Sequence, residues 1–382
     1  MSDSTINLLR DLIAIDSVNP SLVPRAAGEA EIAEAIAAKL REGGMDVEVQ
    51  PVSAGRSNVI GLLEGKQKGR SLMLCGHMDT VGVAGMDAPF DPVQKDGRIY
   101  GRGSQDMKGG LAAMLGAALY LSKNGGLPSG RVMVAAVIDE EYGSIGAEAL
   151  VTKWHADAAV IGEPTDMKIA VGHKGFEWVE VMTEGIAAHG SRPADGRDAI
   201  MRMGRVLSRL ERLDRELQSR HPHSIQGTAS LHASLVSGGR ELSTYPDQCI
   251  LEMERRTISG EPDRCALAEA EKILDELRNE DPEFKASARF LFARPPYLTP
   301  SGNDLPKLIA TAIERKGVQP VLGGMSFWTD AAILGGAGIP SVVFGPGGAG
   351  LHSISEYVLS DDVITCREAL IELARSFCTG GL

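Results

Sequence analysis

The chain has 382 residues, 43% of them hydrophobic, which is enough for one large and one smaller core. Its formal charge of −12, from 39 basic against 51 acidic residues, and the lack of a clustered Lys/Arg stripe argue against nucleic acid or an anionic membrane as partner. No apolar run reaches membrane-spanning length, so a small soluble substrate is the expected ligand.

The N-terminal stretch MSDSTINLLRDLIAIDSVNP has no basic n-region and no unbroken apolar h-region, so it is expected to form an amphipathic helix of a mature cytoplasmic protein. Residues 29–42 place Ile32, Ile36 and Leu40 on one helical face, with Gly43 and Gly44 as the stop. The strand-like MDVEVQ follows. Then come the apolar runs NVIGLL, SLMLC, RVMVAAVI, AAVIG and, much later, PSVVFG, separated by helical stretches such as KGGLAAMLGAALYLSK. Continuous apolar strands alternating with helices predict an α/β layer whose sheet is covered on both faces.

Between residues 176 and 291 the pattern changes. FEWVEVMTEG alternates like a half-exposed strand, DAIMRMGRVLSRLERLDRELQ is a strongly amphipathic helix, and TASLHASLV and DQCILEMERR are strands. ALAEAEKILDELRN is a second helix and KASARFLF a last strand. The order β-α-β-β-α-β is ferredoxin-like. The expected organisation is an α/β domain in two parts, residues 1–175 and 292–382, interrupted by an inserted ferredoxin-like α+β domain over residues 176–291.

Cysteines stand at Cys75, Cys249, Cys265, Cys366 and Cys378, an odd number without a CxxC, as expected of reduced cytosolic thiols. Cys75 neighbours His77, but it ends an apolar run, so packing is the expected role rather than nucleophilic attack.

In open α/β sheets, ligands bind outside the carboxyl ends of the strands. SLMLC leads into Gly76, His77, Met78 and Asp79; RVMVAAVI into Asp139, Glu140 and Glu141; AAVIG into Glu163; PSVVFG, through a glycine-rich turn, into His352. Asp106, in GRGSQDMKGG, stands just ahead of a helix. Two imidazoles and several carboxylates at converging strand ends suit a pair of divalent ions such as zinc, with a bridging carboxylate and open positions for water. The rival reading of GPGGAG as a dinucleotide fingerprint fails, because no second strand follows to close a βαβ unit. Those glycines are expected to let the backbone approach closely and turn toward His352.

LLRDLIAIDSVNPS, GHMDTV, GRGSQDMKGG, DEEYGS, IGEPT, AHGSRP, YPDQCILEMERRTISGE, WTDAA and FGPGGAGLHSISEYV, in this order, resemble a known family. It is the dinuclear zinc amidohydrolases that include acetylornithine deacetylase, succinyl-diaminopimelate desuccinylase, aminoacylase and glutamate carboxypeptidase. The resemblance implies a mixed-sheet α/β catalytic domain, zinc exopeptidase-like, with an inserted ferredoxin-like α+β domain through which a homodimer forms.

The resemblance also implies roles. His77 and Glu163 would hold one zinc, Glu141 and His352 the other, and Asp106 would bridge them; cobalt or manganese would suit the same ligands. Asp79 would hydrogen-bond and orient His77. Glu140 would be the general base, and His189, in AHGSRP, would reach the oxyanion from the inserted domain. Arg256 matches the arginine that grips a substrate carboxylate, although Arg255 stands beside it. Ser243, Thr329, Gly345 and Gly347 are further substrate-contact candidates. Ser243 replaces a common Asn, LHSISE replaces the commoner AHTxDE, and Glu163 stands where aminopeptidase-like members tend to have Asp. The implied activity is hydrolysis of the amide of an N-acylated amino acid that carries a free carboxylate. A carboxypeptidase or dipeptidase is the alternative, and a binding protein without catalysis would have no use for Glu140.

Overall fold

A strand that is apolar on both faces must be covered on both sides. The later part of Gln67–His77, most of Ser129–Val137, and all of Ala158–Ile161 and Ser341–Val343 are buried in this way in the computed structural model, which describes residues 3–380. These strands lie side by side and parallel: Ser129–Val137 next to Gln67–His77, then Ala158–Ile161, then Ser341–Val343. The register sets His77 opposite Val137, and Ile161 opposite both Cys75 and Val343. Because the strands are parallel and in step, all of them end along one edge of the sheet.

Antiparallel strands extend this parallel centre on both sides, Arg56–Glu64 and Asp46–Ser53 on one flank and Ile169–His173 on the other. The sheet is therefore mixed. Helix Gly109–Lys123 is apolar nearly all round and packs inside, against Ser4–Ile13 and Ser360–Thr379. Helix Ala30–Glu42 buries Ile32, Ile36 and Leu40, the face expected from the sequence. A Cβ at Gly110 would lie 1.8 Å from the Gly162 carbonyl oxygen, so only glycine lets this helix start against the end of strand Ala158–Ile161.

A small separate sheet joins Gly348–Ala349, Tyr357–Leu359, Arg98–Tyr100 and Val93–Lys95 in that order. Tyr357 pairs with Tyr100, which brings the chain after His352 alongside the chain before Asp106.

The chain divides into two compact units, one of Met1–Gly172, Thr299–Gly324 and Thr329–Leu382, the other of His173–Leu298 and Met325–Trp328. The second unit has strand Gly175–Glu184, helix Ala199–Ser219, strands Ser230–Gly238 and Gln248–Thr257, helix Cys265–Glu280 and strand Lys285–Arg294. Its last strand runs past residue 291 because it pairs with Gly175–Glu184 as far as Arg294–Phe176. The sheet order is Ser230–Gly238, Gln248–Thr257, Gly175–Glu184, Lys285–Arg294, the ferredoxin-like order with the first and third strands central. Val179, Val181, Leu251 and Met253 face the core shared with Met203, Leu210 and Leu274.

Arg255 lies on the same buried side, fully enclosed, with its guanidinium on Glu261 (2.6 Å) and Glu269 (3.1 Å). All the cysteines are unpaired and buried, and burial pushes the Cys75 thiol up, consistent with packing rather than attack. No helix among the described residues is long and apolar enough to cross a membrane.

Removing a cation from a buried ion cluster strands its partners, a loss of about 3–5 kcal/mol. Arg255→Ala should lower unfolding free energy by that amount in denaturant titration. A loss under about 1 kcal/mol, the range of exposed pairs, would contradict the buried role.

Candidate metal centre

The parallel strands deliver their next residues to one place. His77 ends its strand, Glu140 and Glu141 follow Val137 and the turn at Asp139, and Glu163 follows Ile161. His352 arrives on the loop of the small sheet and Asp106 on the turn Ser104–Lys108 ahead of helix Gly109–Lys123. The Asp106–Met107 peptide bond is cis.

One oxygen of Asp106 lies 3.2 Å from His77 Nε2 and the other lies 3.2 Å from His352 Nε2. His77 Nε2 is also 3.6 Å from Glu163 Oε1, and His352 Nε2 is 3.2 Å from Glu141 Oε2. The residues thus form two donor groups, His77–Asp106–Glu163 and Asp106–Glu141–His352, each with ligand atoms within 4.8 Å of one another. Glu140 joins neither group, and its Oε2 stands 3.9 Å from His77 Nε2.

The donor chemistry fits cations at both groups. His77 Nδ1 is 2.9 Å from the Asp79 carbonyl oxygen, which assigns the ring proton there and turns Nε2 as an acceptor toward carboxylate oxygens. Acceptor facing acceptor requires a proton or a cation between them. Glu141 Oε1 is buried without a hydrogen-bond partner. Burial, then Asp106, pushes Glu141 up to about 7. Burial, then Glu163, pushes Glu140 well up, and Glu163 is raised chiefly by burial. His352, although 54% exposed, is pushed up to about 10 by hydrogen bonds to Asp106 and Glu141. His77 is raised against the effect of burial, chiefly by Glu163. Burial raises Asp106, yet its close contacts with both histidines outweigh it and hold this carboxyl low. Protons gather here because negative charge is crowded, and divalent ions would take their place.

The Asp79 side chain departs from its expected contact. Its carboxylate is 3.6 Å from His77 Nδ1, beyond a hydrogen bond, because the neighbouring backbone carbonyl already occupies that nitrogen. The carboxylate instead accepts the Glu140 amide (3.1 Å), the Glu141 amide (3.2 Å) and Asn19 Nδ2 (2.7 Å). Asp79 therefore holds the backbone of the paired glutamates.

Glu356 is a site residue that the sequence reading passed over. Buried, it accepts the amides of Gly103 (3.0 Å), Gln105 (2.8 Å) and Asp106 (3.0 Å) and pairs with Arg102 (2.6 Å). One carboxylate thus fixes the turn that carries Asp106. Its only sequence signal was its place four residues after His352 in LHSISE.

In the second unit, His189 is exposed, and its Nδ1 accepts the Ser191 amide at 3.2 Å, which assigns the ring proton to Nε2. Ser243 is brought beside it, since the Gly190 amide donates to the Ser243 carbonyl (2.7 Å). Arg255 is committed to its buried carboxylates. Arg256, on the opposite face of the same strand, is 30% exposed, pairs with Glu254 (2.6 Å) and lies over Phe176.

Thr329, Gly345 and Gly347, three of the expected substrate contacts, are buried. Thr329 is buried and its hydroxyl accepts the Ala331 amide at the start of helix Ala331–Gly336 (3.2 Å). A Cβ at Gly345 would lie 2.4 Å from the Glu163 carbonyl oxygen, and one at Gly347 would lie 2.6 Å from Asp362 Oδ2. These glycines let the chain pass the backbone of Glu163 and the side chain of Asp362; both are buried.

Loss of a partner that orients a metal ligand typically costs about 10–100-fold in metal affinity or activity. Glu356→Gln, which can accept at one atom only, should weaken metal binding by that factor in chelator competition. Wild-type affinity would show that Asp106 does not depend on this cradle.

Comparison with known proteins places the chain in a family. Residues 73–376 match Peptidase family M20/M25/M40. Over 355 residues the chain is 32% identical to acetylornithine deacetylase of Myxococcus xanthus, spanning 90% of this chain and 91% of the relative. A tripeptidase from Staphylococcus aureus subsp. aureus Mu50 shares the fold, with a TM-score of 0.80 at 23% identity over 98% of each chain. So does a dinuclear metal binding peptidase from Bacillus subtilis, with a TM-score of 0.74 at 18% identity over 98% of this chain and 97% of that one. The converging strand ends, the shared Asp106 and the extent of the match lead to one conclusion: the chain belongs to Peptidase family M20/M25/M40, hydrolases of amide and peptide bonds.

Proposed function

We propose that this protein removes the acyl group from an N-acylated amino acid, with two divalent ions held by His77, Asp106 and Glu163 and by Asp106, Glu141 and His352. Zinc is the first choice for this nitrogen and oxygen donor set, with cobalt or manganese as substitutes. The observation that carries the reading is the division of the two Asp106 oxygens between two histidines. The resemblance to an acetylornithine deacetylase supports the acyl-amino-acid substrate.

The chemistry that the two ions supply when bound is Lewis acidity, which lowers the pKa of water and polarises the scissile carbonyl. Glu140, beside both donor groups but in neither, takes the proton from the attacking water and delivers it to the leaving nitrogen. His189 offers its Nε2 proton to the oxyanion, with Ser243 as its neighbour at the contact. Arg256 holds the substrate carboxylate, the task for which a planar guanidinium with paired donors is suited. A carboxypeptidase or dipeptidase would use the same residues, because the carboxylate gripped by Arg256 is equally the C-terminus of a short peptide.

We further propose a homodimer through the second unit. Its edge strand Ser230–Gly238 exposes Leu235 and Val236, and the neighbouring helix Ala199–Ser219 exposes Ile200 and Met201. Unpaired, buried thiols support a reducing, cytosolic location.

With zinc, cobalt or manganese added, one class among N-acetyl, N-succinyl and N-formyl amino acids and dipeptides should be cleaved. Glu140→Gln should reduce kcat by about 10²- to 10⁴-fold, with two ions still bound per chain. Arg256→Ala should raise KM for that substrate and leave the melting temperature unchanged. Full turnover by Glu140→Gln would sink the assignment of the base. Leu235→Glu should convert a dimer to a monomer in sedimentation; a monomeric wild type would refute the interface.

A further inference from the structure

A network of polar groups, most of them buried, leads to the backbone of the paired glutamates. Arg56, 11% exposed, starts the strand Arg56–Glu64 and grips Glu29 through Nε (2.7 Å) and Nη2 (2.5 Å). The same Nη2 donates to Asp139 Oδ1 (2.9 Å) and Asn19 Oδ1 (3.3 Å), and Nη1 donates to Ser21 Oγ (3.1 Å). Asn19 Nδ2 in turn donates to both Asp139 Oδ1 (3.1 Å) and Asp79 Oδ2 (2.7 Å). Ser21 Oγ donates to Asp139 Oδ1 (2.9 Å), and the Asp139 amide donates to Glu29 Oε1 (3.3 Å). The chain of contacts ends at Asp79, whose carboxylate holds the amides of Glu140 and Glu141.

Glu29, Asp79 and Asp139 are all buried, and Arg56 is the guanidinium that contacts two of them directly. Asp139 also holds a φ of +66°, in the left-handed region that aspartate adopts more readily than most non-glycine residues. Its Oδ2 accepts the Gly143 amide as the chain turns back. Adjacent glutamates can serve as base and ligand only if the backbone between them is fixed. The groups that fix it are Asp79 from above and Asp139 from the preceding residue, and Arg56 with Asn19 connects the two.

We propose that Arg56 is a positioning residue for the Glu140–Glu141 pair, acting through Asp139 and through the Asn19–Asp79 link. The inference rests on the reading of Glu141 as a ligand and Glu140 as the base. Its signature is selectivity: loosening this turn should affect the Asp106–Glu141–His352 group, while His77–Asp106–Glu163 draws its ligands from other strand ends. A general loss of packing would not distinguish the two groups.

The test is zinc titration of the full chain with a competing chelator, beside kcat and KM on whichever substrate the wild type cleaves. In Arg56→Ala one of two zinc sites should weaken by about 10–100-fold, with the other within about threefold of wild type. kcat should fall and KM hold. Guanidinium at millimolar concentration should restore part of both losses, and Arg56→Lys, which lacks the fork, should retain only part of them. Equal weakening of both sites, or wild-type zinc binding and kcat with only a lower melting temperature, would overturn the proposal. If Arg56→Ala does not fold, Asn19→Ala, which leaves the Arg56–Glu29 pair intact, should show the same one-site selectivity, and its absence overturns the proposal equally. The titration needs no turnover, so a wild type that cleaves no amide refutes the proposed function while zinc binding still decides the role of Arg56.

Discussion

The two oxygens of Asp106 point to different histidines, and much of the first unit serves to hold that one side chain between them. A carboxylate shared in this way must be placed from more than one direction. The Glu356 carboxylate fixes the amides on its N-terminal side. The small sheet ties the His352 loop to the strand that leads toward Asp106. The parallel strands then set His77, Glu141 and Glu163 around it, each from a separate strand end.

Crowding Asp79, Asp106, Glu140, Glu141 and Glu163 into one region costs solvation and adds mutual repulsion, and the raised Glu140, Glu141 and Glu163 carboxyls record it. Strand packing alone cannot offset this. Cations can, and the ligands are held by a scaffold of hydrogen bonds and ion pairs through Asn19, Arg56, Asp139 and Arg102. Binding of ions and stability of the site are therefore linked.

The parts legible in the sequence were those with a local cause. Apolar runs that end in His77, Glu140–Glu141, Glu163 and the turn toward His352 announced both the strands and the edge where they end. The alternation between residues 176 and 291 gave the order of the ferredoxin-like unit. What stayed hidden depends on contacts far apart in the chain: Glu356 with Asp106 and Arg102, Arg56 with Glu29 and Asp139, and the short strands of the small sheet. The His-x-Asp spacing suggested a side-chain contact that the backbone carbonyl of Asp79 makes instead. Likewise, the different surroundings of Arg255 and Arg256 needed the sheet: alternate residues face opposite sides, and Arg255 is enclosed on the buried side with Glu261 and Glu269. Gly345 and Gly347 look like substrate loops in sequence, and only the structure shows that a Cβ there would meet the Glu163 carbonyl oxygen and Asp362 Oδ2.

The central claim is that Asp106 is shared by two metal ions, and anomalous diffraction from crystals grown with zinc tests it most directly. Two peaks about 3.5–4 Å apart with one Asp106 oxygen on each are the predicted result. A single peak, or two ions with Asp106 bound to neither or to one alone, would contradict the account.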